Sequence, residues 1–277
     1  MPRRQLLNEG TQRLEAAGAS DAALDAQWML SAVTGISRLL LLMDLDAAVS
    51  DDIKERYGAL LFRRETGEPL QYVLGEADFM GHTFSVDGRV LIPRPDTETL
   101  CQAAIGRLAR GGRMLDIGTG SGALAVSVAL ACERASVTAV DISAGALGVA
   151  RTNGEALGAQ VEWLQSDLFA ALGGRVFDVI VSNPPYIPSG ELKGLQTEVR
   201  REPRLALDGG PDGLDFYRRI VAALPGYLAV GGALLLEVGD GQAVDVAALL
   251  APHFAQTNIL RDLAGLERVV TGDDYAG

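Results

Sequence analysis

From residue 97 onward, short apolar strands alternate with helices. Arg113 to Ile117, Ser136 to Val140, Val161 to Leu164, Phe177 to Ser182 and Ala233 to Val238 read as strands. Gly122 to Cys132, Ala144 to Leu157, Leu214 to Leu224 and Ala243 to Leu250 read as helices between them, with Gly158 a helix stop. Asn258 to Asp262 and Glu267 to Thr271 read as two final strands. Near-continuous apolar strands in β-α alternation predict an α/β fold built on a doubly wound, mainly parallel sheet covered on both faces. Ligands of such sheets sit beyond the carboxyl ends of the strands. Those ends carry Asp116 to Gly122, Asp141, Asp167 and Asn183 to Tyr186.

The chain before residue 97 is different. Leu6, Leu7 and Leu14, then Ala22, Ala23, Ala26, Met29, Leu30 and Val33, recur at helical spacing, and Gly35 would end the second helix. Asp51 and Asp52 open a further helix, which Thr66-Gly67-Glu68-Pro69 breaks. Tyr72-Val73-Leu74, Phe79, Thr83 to Val86 and Arg89 to Ile92 are β-rich, with Asp87-Gly88 as a hairpin turn signal. The expected organisation is a helical domain over 1–72, a β-hairpin linker over 73–93 and an α/β domain over 94–277.

Composition excludes several classes. With 24 Lys plus Arg against 36 Asp plus Glu, the net charge of −12 opposes a chain whose main affinity is for a phosphate backbone. No apolar run approaches the ~18–20 residues of a membrane span. Arg3-Arg4 is not followed by the apolar stretch of a signal peptide, so a cytoplasmic chain is expected. Cys101 and Cys132 have no metal-ligand spacing and read as free thiols of a reducing compartment. His82 and His253 stand alone, which gives a zinc site or a Ser-His-Asp triad little support.

Four motifs carry chemistry. Asp116-Ile117-Gly118-Thr119-Gly120-Ser121-Gly122 lets a strand turn tightly into a helix and lets a ligand approach the backbone. With Ala123 it also satisfies the dinucleotide pattern, so alone it signals only a nucleoside cofactor. Asp141, at the end of the next strand, can accept both ribose hydroxyls or cap the following helix. In Gln165-Ser166-Asp167-Leu168-Phe169, Asp167 can accept from an adenine amino group while the next residues pack on the ring. Asn183-Pro184-Pro185-Tyr186 decides the class. Two prolines remove two donors, leave carbonyls free and stiffen the loop. Asn183 adds a side-chain carbonyl and Tyr186 an aromatic face, which together form a box for a planar –NH2 group.

These motifs resemble class I S-adenosylmethionine-dependent methyltransferases that modify planar amino groups. The resemblance narrows with Gly67 to Gly75, Leu91 to Glu98, Ser182 to Pro188, Glu202 to Leu207, Gly209 to Leu214, and Asp262 to Gly265 with Arg268 to Val270. Together these resemble the PrmC/HemK glutamine methyltransferases. That resemblance implies a Rossmann-like methyltransferase domain with a helical N-terminal domain and a hairpin. It implies methylation of the glutamine amide nitrogen in the Gly-Gly-Gln loop of peptide-chain release factors, by a monomer that binds neither nucleic acid nor membrane. Carried over by motif, Gly118, Thr119, Gly120, Ser121, Gly122, Asp141, Asp167, Leu168 and Asn183 hold the cofactor. Asn183, Pro184, Pro185 and Tyr186 hold the glutamine, with Asn183, Pro184 and Tyr186 catalytic. Arg94, Asp96 and Glu98 either orient substrate or form an ion-pair cluster, and Glu202 and Arg204 are candidates for a peptide groove. Three other readings stay open: a glutamine methyltransferase of a ribosomal protein, a nucleic-acid amino methyltransferase, and a non-catalytic module that kept the fold.

Overall fold

Helical spacing at the N-terminus becomes five helices: α1 (Arg3–Ala16), α2 (Ala22–Thr34), α3 (Arg38–Met43), α4 (Asp51–Glu65) and α5 (Leu70–Leu74). The computed structural model describes all residues, Met1 to Gly277. It divides into two compact units, Met1–Glu76 with Gln196–Arg201, and Ala77–Leu195 with Glu202–Gly277. In the first unit Leu14, Met29, Leu30, Leu41, Tyr57 and Leu61 pack into one core. Gly35 ends α2 in the left-handed region, and the Ser50 hydroxyl accepts from Ile53 N–H to open α4. Tyr72-Val73-Leu74, expected as strand, forms helix α5 instead. Pro69 stands just before its first turn, Gly75 closes it at φ +81°, and Arg63 donates to the carbonyls of Tyr72 and Val73. Burial of Val73 in the helical core outweighs its β preference.

A buried ion cluster ties the remote segment into this unit. Arg64 donates to Asp25 at 2.7 Å and to Glu198 at 2.5 Å, with Arg64 only 4% and Asp25 7% exposed. Burial pushes the Asp25 carboxyl up, and the Arg64 bond opposes this. Arg64→Met would leave that carboxylate buried without its cation. We expect a loss of about 3–5 kcal/mol, read as a lowered midpoint in urea.

In the second unit, β1 (Glu76–Phe79, whose first residue closes the first unit) and β2 (His82–Ser85) form the hairpin. Its turn is Met80-Gly81, at φ +51° and +77°, and not Asp87-Gly88. Two left-handed residues match the twist of a two-residue hairpin. The Glu98 carboxylate, on α6 (Thr97–Leu108), accepts Met80 N–H at 2.8 Å and holds that conformation. Arg89 to Ile92 is not a strand; Asp87 instead turns the chain by accepting from Arg89 N–H.

The sheet follows as β3 (Gly112–Ile117), α7 (Ala123–Ala131), β4 (Ala135–Asp141), α8 (Ala144–Leu157), β5 (Val161–Gln165), β6 (Phe177–Ser182), α9 (Asp215–Ala223), β7 (Leu228–Glu237), α10 (Ala243–Leu250), β8 (Phe254–Arg261) and β9 (Glu267–Tyr275). The strand order is β5-β4-β3-β6-β7-β9-β8, with β9 antiparallel to both neighbours and the five strands from β5 to β7 parallel. Period-two alternation sends Leu115, Ile117, Ile180, Leu234 and Leu236 to one buried face. Met114, Val179, Val181 and Leu235 go to the other. The chain winds outward from β3 to β5 and then returns to β6 beside β3, so the crevice between β3 and β6 is the topological switch point. No helix is long and apolar enough to cross a membrane.

Candidate functional site

Sheet register aligns the site. Ile117 pairs with Val140 and Ser182, and Ser182 pairs with Leu236. The next residue on each strand is therefore Asp141, Gly118, Asn183 and Glu237, which stand side by side at the carboxyl edge. A cavity of about 250 Å³ opens there, lined among others by Gly118, Gly120, Asp141, Asp167, Leu168 and Asn183.

The glycine turn is built from two kinds of glycine. Gly118 and Gly120 have φ +74° and +57°, and a Cβ on either would meet no chain atom within 4 Å. They leave the backbone bare toward a ligand. Gly122, at φ +79°, is instead a packing glycine: a Cβ there would lie 3.0 Å from Ala150 and Trp163. Thr119, Ser121 and Gly122 are not among the cavity-lining residues. The Thr119 hydroxyl donates to Asp116 at 2.6 Å, and the Ser121 carbonyl accepts from Asn153. Full burial, helped by the nearby Asp141 charge, pushes the Asp116 carboxyl up to about 7 against that bond.

Asp141 does not cap α8; Ser143 does, by accepting from Ala146 N–H. Asp141 accepts Gly120 N–H on one oxygen at 2.9 Å and Ser143 N–H on the other at 2.8 Å. The carboxylate thus pins the glycine turn to the end of β4, and each oxygen retains acceptor capacity toward the cavity. Asp167 is paired with Arg219 of α9, one guanidinium nitrogen reaching both oxygens at 2.7 and 2.8 Å. Leu168 is left-handed, at φ +49°. The Ser166 hydroxyl supports that turn by donating to Leu168 C=O and accepting from Ala171 N–H.

Asn183-Pro184-Pro185-Tyr186 leaves β6 as an extended loop. Neither the Pro184 nor the Pro185 carbonyl accepts a backbone bond. Behind the loop, Ile187 exchanges backbone bonds with Leu207 and Gly209, and Gln242 donates to Tyr186 C=O at 2.9 Å. The Asn183 amide nitrogen donates to Thr97 Oγ1 at 3.2 Å. Asn183, Pro184 and Pro185 line the cavity. Tyr186 does not; its ring packs on the core face that holds Leu236, against Gly239. Gly209 permits the close approach, since a Cβ on it would lie 2.8 Å from Pro185 O and Tyr186 Cα. Backbone cannot yield there as a side chain would. Gly209→Ala is expected to cost about 1–3 kcal/mol in thermal stability and to lower turnover by displacing the loop.

The charged residues before the core are all engaged. Arg94 pairs with Glu202, whose other oxygen accepts Ile92 N–H. Asp96 pairs with Arg268 at 3.1 Å, and Glu98 holds the hairpin turn. Arg204 pairs with Asp208. Sequence reading missed Thr97, Arg219, Glu237 and Gln242. Glu237 had a usable signal, since it ends an apolar strand as Asp141 does; the others sit on helices or loops with no local mark.

Residues 5–75 match the PrmC N-terminal domain, and residues 97–199 match the methyltransferase small domain. A release factor glutamine methyltransferase of Geobacter sulfurreducens is 45% identical over 257 residues, covering 92% of this chain and 90% of the relative. One from Moorella thermoacetica is 43% identical over 274 residues, covering 97% of both. A methyltransferase structure from Pyrococcus furiosus superposes with a TM-score of 0.54 at 19% identity, over 71% of this chain and 91% of that one, and shares the fold.

Proposed function

The chain belongs to the family of release factor glutamine methyltransferases, and we propose that it transfers a methyl group from S-adenosylmethionine to the side-chain amide nitrogen of the Gly-Gly-Gln glutamine of a peptide-chain release factor. The observation that carries this reading is the sheet register, which brings the Asp141 carboxylate, the turn at Gly118 and Gly120 and the loop at Asn183, Pro184 and Pro185 to one cavity rim. The setting is the cytoplasm, and the substrate is a protein rather than nucleic acid, in keeping with the net charge of −12.

The residues present fit this cofactor. Asp141 offers one free lone-pair direction per oxygen to a cis-diol, after its two backbone bonds. Gly118 and Gly120 leave open space where any side chain would project. Leu168 and Ile142 give the cavity apolar walls, and Asp167 stands ready to accept from an exocyclic amine. When bound, the cofactor supplies an electrophilic methyl group on a sulfonium sulfur.

An amide nitrogen is a poor nucleophile because its lone pair is delocalised into the carbonyl. No side chain in the loop is a base strong enough to deprotonate it. The loop therefore acts by placement. Asn183 Oδ1 and the Pro184 carbonyl accept the two N–H bonds of the glutamine amide and turn its nitrogen face toward the cavity. Both acceptors also favour the nitrogen as it becomes more positive. Tyr186, with its ring packed on the core face, anchors the end of the loop instead of facing the amide. Fixed orientation of this kind contributes on the order of 7–11 kcal/mol where it is complete, and the proline pair supplies the stiffness it requires.

The deciding experiment incubates the protein with S-adenosylmethionine and a release factor and maps added mass by tandem mass spectrometry. A single methyl on the Gly-Gly-Gln glutamine is the expected result. A methyl elsewhere, or none while the cofactor binds, would remove the release factor as substrate.

A further inference from the structure

One buried carboxylate at the edge of the site is a group that the reaction as described does not use. Glu237 ends β7 and is 3% exposed. Its Oε2 has no hydrogen-bond partner in the chain. A leucine there would extend the run Leu234-Leu235-Leu236 without desolvating a charge, and such replacements of buried ions are commonly neutral or stabilising. The carboxylate must therefore do something a leucine cannot.

Its surroundings say what. The Thr97 hydroxyl and the Asn183 amide both stand toward the Glu237 carboxylate and favour its charged form. Thr97 Oγ1 in turn accepts from Asn183 Nδ2 at 3.2 Å. Asn183, Thr97 and Glu237 thus form one polar cluster at the edge of the sheet. With Glu237 ionised, the protons of that cluster have one arrangement. A carboxylate only accepts, so Thr97 must give its single proton to Glu237 and present its lone pair to Asn183. Asn183 must then present –NH2 to both, and its carbonyl oxygen is left for the cavity. Burial drives the Glu237 carboxyl up to about 7, and the donors from Thr97 and Asn183 oppose that rise. Arg268 opposes it as well, whereas Asp96 adds to it. The carboxyl is therefore ionised above about pH 7, and that ionised form is the one that demands –NH2 from Asn183.

We propose that Glu237, through Thr97, is a positioning residue that locks the Asn183 carboxamide with Oδ1 facing the substrate amide and polarises that oxygen as an acceptor. A side-chain amide has two nearly isosteric orientations, and only one of them accepts a substrate N–H. With the other, Asn183 would present donors to donors. The cluster with Glu237 ionised disfavours that orientation before substrate arrives. A hydrogen bond given to a carboxylate also polarises the rest of the amide, so the oxygen accepts more strongly. This inference rests on the reading of Asn183 as the glutamine-amide acceptor.

The test uses the full-length protein with a release factor as substrate and follows kcat, KM and cofactor affinity separately. Glu237→Gln keeps the volume but brings donors where only acceptors stood, so Asn183 can turn over. Thr97→Val removes the relay hydroxyl and Thr97→Ser retains it. Both Glu237→Gln and Thr97→Val should lower kcat by on the order of 10- to 100-fold, as for groups that orient a reacting group from behind. KM and the cofactor Kd should stay at wild-type values, and Thr97→Ser should restore kcat. The double variant should be no worse than the poorer single one, because both act through one cluster. Asn183→Ala, run alongside, separates the two levels. Wild-type kcat in Glu237→Gln and Thr97→Val, with Asn183→Ala inactive, would overturn the positioning role and leave the site reading intact. Equal losses of kcat and cofactor binding, unrelieved by Thr97→Ser, would make Glu237 merely structural and overturn it too. Full activity in Asn183→Ala would remove the site reading itself, and this inference with it.

Discussion

Asn183→Ala is expected to lower kcat for release-factor methylation by about 10²–10³-fold, the loss that follows removal of one preorganised polar group aimed at developing charge. Cofactor affinity should change little. The asymmetry comes from where Asn183 stands. It leaves β6 beside Gly118 in register, yet its amide nitrogen is committed to Thr97, not to the glycine turn. Alanine removes the acceptor oxygen without disturbing Asp141 or Gly120, whose bonds run on the β4 side of the edge. Pro184 and Pro185 keep the loop in shape, so the variant should fold. Turnover by quantitative mass spectrometry and cofactor Kd by calorimetry separate the two effects. A Kd that rises as steeply as kcat falls would mean that Asn183 holds the cofactor and not the substrate.

Asp141→Ala should produce the opposite split. The carboxylate accepts Gly120 N–H and Ser143 N–H, and it is the group on the rim suited to a ribose diol. Bonds to an ionised acceptor contribute about 1.5–3 kcal/mol each. Losing two of them to the ribose should weaken cofactor binding by about 10²-fold or more. Freeing the glycine turn adds to the loss. At saturating cofactor, kcat should recover most of its wild-type value, because the amide-binding loop does not touch Asp141. Asp141→Asn should fall between, since one amide oxygen can still accept from one of the two backbone donors. Calorimetric titration of cofactor, followed by turnover at rising cofactor concentration, tests both halves.

The strand-end positions of the candidate site were largely legible, and for a physical reason. A parallel sheet requires each strand to be apolar on both faces, so a polar residue at a strand's end stands out. Asp141 and Asn183 were readable in that way, and register then placed them level with each other. Glu237 obeys the same rule at the end of β7 but carries no neighbouring motif. The hairpin shows how local signals mislead. Asp87-Gly88 is the stronger turn sequence, yet the hairpin turns at Met80-Gly81 because Glu98, eighteen residues on, supplies an acceptor for Met80 N–H. Helix α5 has a similar origin: β-prone Tyr72 and Val73 are helical because Arg63 takes up both carbonyls and the helical core takes up the Val73 side chain.

What the chain's order of residues determined by itself is the alternation of elements, the glycine turn, the stiff diproline loop and the polar strand ends. All of these depend on spacing within a few residues. What only the tertiary structure decided is how those groups are held: Arg219 on Asp167 across 52 residues, Gln242 on Tyr186 across 56, and Thr97 on Asn183 across 86. Such partners are chosen by where the strands cross over in the sheet. A hydrogen bond needs its donor and acceptor within about 3 Å, and only the packed sheet brings residues so far apart in sequence to that distance.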